Sequence, residues 1–136
     1  RDVAPSRGLG DVYKRQPDVV CVNLGTNDTS LDNYDIELLT DAYREFIKKL
    51  RNIYPDAKLV LLSGSMLTGK SLQDVRNAMD KVAAEMNGDG DKEVYRFDMS
   101  PQTGSLGMGA DYHPSMRQHQ KMASELTEYL RKLMNW

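Results

Sequence analysis

The chain has 136 residues, 40% of them hydrophobic and 28% charged, with a single cysteine and a formal net charge of -2. That length suits one domain with a core of its own, and the lone Cys21 excludes an internal disulfide framework. The slightly acidic balance argues against nucleic acid as a partner, because phosphate binding asks for a basic surface, and no apolar run nears membrane-spanning length.

Residues 1–16 (RDVAPSRGLGDVYKRQ) follow neither a helical nor a strand period. The stretch GLGDVYKRQ resembles a translated sequencing-adaptor segment of the kind found at the ends of metagenomic reading frames. Residues 1–16 are therefore expected to be a non-native or disordered leader, set aside in reasoning about the fold. Native sequence is expected to begin near Pro17, and no signal peptide is visible.

From there strands and helices alternate. Residues 18–24 (DVVCVNL) form a short apolar, β-branched run, predicted to be a strand buried on both faces, with Cys21 as a small buried hydrophobe. Ile36, Leu39, Tyr43, Phe46, Ile47, Leu50 and Ile53 recur at helical spacing behind Asn33 or Asp35 as cap, and Pro55 stops the helix. Residues 58–62 (KLVLL) predict a second buried strand. A second helix is predicted to open at Ser71 with Asp74 in a capping box, to face the core with Leu72, Val75, Met79, Val82 and Met86, and to close at Asn87-Gly88. Residues 93–97 (EVYRF) alternate as a third strand, less apolar and so nearer an edge; residues 100–110 are a glycine-bearing loop. The last helix follows Pro114, with Met116, Ala123, Leu126, Leu130 and Leu133 inward. This order argues for an α/β fold, a parallel sheet layered between helices, with ligands gathering at the carboxyl ends of the strands.

Two segments at that edge carry chemistry. Gly25-Thr26-Asn27-Asp28 follows the first strand. A glycine N–H open to close approach and an Asn amide are neutral donors suited to the oxyanion of acyl transfer, each worth ~3 kcal/mol. By spacing alone the tetrapeptide reads first as a plain turn, with Asp28 or Asn27 capping it. In Asp111-Tyr112-His113-Pro114-Ser115 the histidine stands on a loop just before a helix, where it can serve as general base, with Asp111 able to hold its other ring nitrogen. The bland alternative is a partly buried histidine at a helix start. His119 falls on the last helix as a surface or boundary residue, and Asp111, His113 and His119 lack the spacing of a zinc site, so no metal is expected.

PDVVCVNLGTNDTS looks like the third conserved block of the SGNH hydrolase (GDSL-like esterase) superfamily, and GADYHPSMRQHQKMASEL looks like its fifth. GTNDTS, LLSGSMLTG and an aspartate two residues before the histidine resemble carbohydrate esterase family 2, the acetyl esterases of plant polysaccharides. The resemblance runs from about Pro17 to the C-terminus. It implies a flavodoxin-like three-layer sandwich in which residues 17–136 form the C-terminal part of the domain and the first strands are missing. It makes His113 the general base, Asn27 the side-chain oxyanion donor and Asp111 the orienting acid, although it also allows a backbone carbonyl in that last role. Asp28 is then structural, and Gly25 contributes local geometry only. No cofactor is implied.

The family's Gly-Asp-Ser block, which carries the nucleophile, has no counterpart: Gly10-Asp11-Val12 has valine in place of the serine, and Ser63 and Ser65 fall where the family carries a substrate loop. The resemblance thus implies a serine esterase that removes acetyl groups from polysaccharides such as xylan, with this chain lacking the nucleophile and inactive alone. An acetylated oligo- or polysaccharide is the expected partner, with no nucleic acid and no membrane, and polymer substrates imply a secreted or periplasmic bacterial protein. Loss of the neighbouring strand is expected to leave residues 18–24 as an exposed edge open to self-association or to pairing with residues of the N-terminal tail. The alternatives are an SGNH lipase or thioesterase of other acyl specificity, which the small polar loops at 68–71 and 104–110 disfavour, and a noncatalytic carbohydrate-binding domain, thinly supported by one tryptophan and seven tyrosines.

Overall fold

The computed structural model describes residues 16–31 and 33–136. The leader expected over residues 1–16 thus lies, apart from Gln16, outside the described residues. The elements follow the expected order: β1 (Val19–Val22), α1 (Ile36–Ile53), β2 (Lys58–Ser63), α2 (Gly69–Gly88), β3 (Val94–Asp98), a one-turn 3-10 helix at Ala110–Tyr112, and α3 (Met116–Met134). The strands form a parallel sheet in the order β1-β2-β3, with Val20 paired to Leu59 and Leu61 to Arg96.

β2 takes the centre because KLVLLS is apolar on both sides. Its period of two sends Leu59 and Leu61 into one core, with Tyr43 and Ile47 of α1 and Val75, Met79 and Val82 of α2. Val60 and Leu62 enter a second core with Met99, closed by Met122, Leu126, Tyr129, Leu130 and Leu133 of α3. There the rings of Phe97 and Tyr129 stack with centroids 4.4 Å apart. Helices on both faces of a parallel sheet make the three-layer α/β arrangement predicted. Each fully buried Leu, Ile or Met contributes about 1.5–3 kcal/mol.

The helix ends explain their own boundaries. Asp35 caps α1 by accepting from the backbone N–H groups of Glu37 (2.9 Å) and Leu38 (3.0 Å). Helix α2 starts at Gly69, two residues before the predicted Ser71. The predicted capping box does not form there, because the Asp74 carboxylate is taken by Lys70 and by the hydroxyl of Tyr34 (2.7 Å). Ser115 caps α3, its hydroxyl accepting from Gln118 N–H at 3.2 Å. Among the described residues, no helix is long and apolar enough to cross a membrane.

Some expected burial is corrected. β1 is an edge strand with a single neighbour among the described residues, so Cys21 and Leu24 are exposed rather than buried on both faces. Phe46 is exposed for the same reason, lining with Leu50 a groove along Val20, Val22 and Leu24. Ile53, Met116 and Ala123 also face outward, since helical spacing marks a stripe without saying whether a layer lies over its ends. β3 occupies the other edge, as its less apolar alternation predicts.

Candidate active site

Both chemistry-bearing segments leave the carboxyl edge of the sheet. After β1 the chain turns at Gly25, whose φ of +103° lies where glycine is favoured; a Cβ there would meet the Val75 side chain at 3.2 Å. The Gly25 carbonyl accepts from Thr29 twice, from its N–H at 3.1 Å and from its buried hydroxyl at 2.8 Å. This closes a tight turn with Asn27 at its exposed tip. The Ser30 hydroxyl donates to the Asn27 carbonyl at 3.0 Å, and no described residue hydrogen-bonds the Asn27 amide. Asn27 therefore presents an amide donor to solvent from a turn that is fixed beneath it. Gly25, buried under Val75, shapes that turn.

The histidine stands on the loop between β3 and α3, which is pinned at each end. Glu125 of α3 accepts from both the N–H (3.0 Å) and the hydroxyl (2.6 Å) of Ser100, and buried Gln118 donates to the Ser100 carbonyl at 3.3 Å. Burial pushes the Glu125 carboxyl upward, yet the two Ser100 donors outweigh it and hold it below its ordinary value. At the other end the Ser115 hydroxyl donates to Leu106 at 2.8 Å. Gly109 donates to the His113 carbonyl at 2.7 Å, and a Cβ on Gly109 would meet the carbonyl oxygens of His113 and Pro114 at 3.1 Å.

Between these pins lies strained backbone. Asp111 (φ 49°) and Tyr112 (φ 60°) are consecutive left-handed residues, each costing about 1–3 kcal/mol. The turn they make brings the Ala110 carbonyl back to His113, where it accepts from the backbone N–H at 2.9 Å and lies 2.9 Å from ring Nδ1. A carbonyl oxygen can only accept, so Nδ1 carries a hydrogen, and in the neutral ring Nε2 keeps its lone pair. The exposed ring is thus held in the tautomer a general base requires.

The ring's partner is consequently a backbone carbonyl and not the Asp111 carboxylate. Asp111 supplies the bend that delivers that carbonyl, and its own side chain is exposed. His119 lies exposed on the first turns of α3, its N–H bonded to the Ser115 carbonyl at 2.9 Å. Among the described residues no group of three or more His, Cys, Asp or Glu side chains is arranged to hold a metal ion. Three of the serines near this edge are engaged or enclosed. Ser63 donates to Asp98 at 2.7 Å, Ser115 caps α3, and Ser65 is buried.

Sequence reasoning passed over the polar network beside Ser63. Arg96 donates to Asp80 and to Asp98 (both 2.7 Å) and to the Leu61 carbonyl (2.6 Å), while Arg76 reaches the Ser63 hydroxyl at 3.2 Å. Burial raises the Asp98 carboxyl, but the Ser63 and Arg96 hydrogen bonds more than offset this and leave it below its ordinary value. The network ties the ends of β2 and β3 to α2. Only the polar residue Arg96 inside a strand hinted at it.

Comparison with known proteins bears on the fold and the family. The chain is 39% identical over 126 residues to the cellulase/esterase CelE of Acetivibrio thermocellus, covering 93% of this chain and 16% of that protein. It is 29% identical over 126 residues to an acetylxylan esterase / glucomannan deacetylase of Cellvibrio japonicus, covering 93% of this chain and 34% of that one. The structure of a family two carbohydrate esterase from Clostridium thermocellum, solved with cellohexaose, superposes with a TM-score of 0.87 at 39% identity, over 90% of this chain and 38% of that one. The chain thus spans well under half the length of the relatives it matches. The model of the GDSL-like lipase/acylhydrolase family matches residues 3–121. The chain belongs to the GDSL-like lipase/acylhydrolase family.

Proposed function

We propose that residues 17–136 form the C-terminal part of a serine esterase domain that removes acetyl groups from plant polysaccharides such as xylan, with His113 as general base and Asn27 as an oxyanion donor. The observation that carries this reading is the Nδ1 contact of His113 with the Ala110 carbonyl, which leaves Nε2 free on the sheet edge where the Asn27 turn also lies. In the reaction Nε2 takes the proton of a serine hydroxyl as its oxygen attacks the acetyl carbonyl. The oxyanion that forms gains a hydrogen bond from the Asn27 amide, a kind of contact worth about 3 kcal/mol. Nε2 then returns the proton to the departing sugar oxygen, water attacks the acyl-enzyme by the same route, and acetate leaves.

The serine of this role is read as lying outside the described residues, a reading supported by the engagement of Ser63 with Asp98, the capping role of Ser115 and the burial of Ser65. The names of the relatives, a cellulase/esterase and an acetylxylan esterase / glucomannan deacetylase, support an acetylated polysaccharide as substrate. A polymeric substrate in turn supports a secreted or periplasmic location. The chain alone is then expected to form no acyl-enzyme. Intact mass after exposure to a fluorophosphonate, read beside 4-nitrophenyl acetate turnover, tests this: neither label nor turnover is expected, and one labelled serine whose labelling His113→Ala abolishes would place the nucleophile within this chain.

A further inference from the structure

We propose that Gln102 is a positioning residue that fixes the tautomer of His113. The inference rests on the reading of His113 as the base, and its test needs no turnover. Gln102 lies in the loop after β3, and its backbone N–H donates to the Ser65 carbonyl, beyond the end of β2, at 2.8 Å. Its side-chain Nε2 donates to the Tyr112 carbonyl at 2.7 Å. One residue therefore bolts the histidine turn to the edge of the sheet.

The bond falls where the turn most needs it. Tyr112 is the second of two left-handed residues without the freedom of glycine, and an aromatic residue is a poor occupant of that region. Were the turn to relax to ordinary backbone, the Ala110 carbonyl would swing away from both His113 hydrogens that it accepts. The Tyr112 carbonyl can only accept, so the amide of Gln102 has one useful orientation, Nε2 toward Tyr112. Its Oε1 is then left buried without a partner among the described residues, as is the Ser65 hydroxyl. A buried oxygen without a partner is costly, so the site keeps this amide at a penalty which the bond to Tyr112 must outweigh.

The experiment is a long-range proton–nitrogen correlation of the His113 ring in the labelled chain, recorded above the pH at which the ring titrates. The unsubstituted chain is expected to show the Nδ1–H form as the dominant tautomer. Gln102→Met keeps the length of the side chain and removes the donor, and is expected to lose that form in favour of Nε2–H, which prevails for imidazole in water. Gln102→Glu, a carboxylate of nearly the same shape, is expected to do the same and serves should the methionine variant fail to fold. Retention of Nδ1–H by a folded variant would overturn the proposal, as would an Nε2–H ring in the unsubstituted chain. If the variants lose the tautomer while His113→Ala leaves esterase turnover intact in a complete domain, it is the assignment of His113 as base that fails, and the positioning role stands.

Discussion

Ring Nδ1 of His113 lies 2.9 Å from the carbonyl oxygen of Ala110, three residues earlier in the same turn. A backbone carbonyl orients the ring as a triad carboxylate would, without adding a full negative charge beneath it. The two kinds of partner respond differently to substitution.

Asp111→Asn is therefore expected to change little. In a chimera in which residues 17–136 replace the matching segment of the Clostridium thermocellum esterase, kcat should stay within a few-fold. Replacing a true triad acid costs about 10⁴-fold. Steady-state kinetics on 4-nitrophenyl acetate decides, and a loss of that larger order would show that the carboxylate orients the ring after all.

Gly25→Ala is expected to destabilise the chain by about 1–3 kcal/mol, because alanine is strained at φ +103° and its methyl group would press on Val75 at 3.2 Å. Urea unfolding followed by circular dichroism measures it. An unchanged midpoint would mean that the turn beneath Asn27 is looser than described.

The hydroxyl of Tyr43 is buried with no partner among the described residues, and burial drives its pKa upward against the lowering influence of the Arg96 charge. Deleting an unsatisfied oxygen from a buried site removes a penalty, so Tyr43→Phe is expected to hold or raise Tm, by up to about 1 kcal/mol in stability. A clear fall in Tm would reveal a partner for the hydroxyl.

Acid should destabilise the fold through Asp98 and Glu125. Each carboxyl is pushed up by burial and pulled down further by its hydrogen bonds, from Ser63 and Arg96 in one case and from Ser100 in the other. With folded values below unfolded ones, the unfolded chain binds more protons, so their contribution is complete above a carboxyl's ordinary pKa of about 4 and disappears as pH falls through the folded values. Thermal unfolding between neutral and strongly acidic pH should show Tm falling with pH in that range, and falling less steeply in Asp98→Asn.

Among the described residues β1 has a neighbour on one side only, and exposed Cys21, Leu24 and Phe46 set apolar side chains beside its other edge. Self-association through residues 18–24 is the expected result, with Cys21→Lys shifting the chain toward monomer. Light scattering across a concentration series tests this; a monomer at all concentrations would contradict it.

Much of this was legible because burial has a period. The core face of α2 could be read position by position, as could the central place of KLVLLS and the Asp35 cap. What escaped depends on contacts distant in the chain. Nothing in the spacing of residues 71–74 says that Tyr34, forty residues earlier, occupies the Asp74 carboxylate. The exposure of Cys21 and Phe46 depends on what stands beside β1. At the site, the segment DYH places a carboxylate two residues before the histidine, yet two left-handed residues in succession give the ring a carbonyl instead. Gln102 gave no signal at all, since an amide in a loop looks like any solvated side chain.

The most direct test of the account is acetate release from acetylated xylan by the chimera, compared with its His113→Ala variant. Turnover by the parent chimera is expected, with a fall of about 10²–10⁴-fold on losing the imidazole. A folded His113→Ala chimera that still released acetate at close to the parent rate would contradict it.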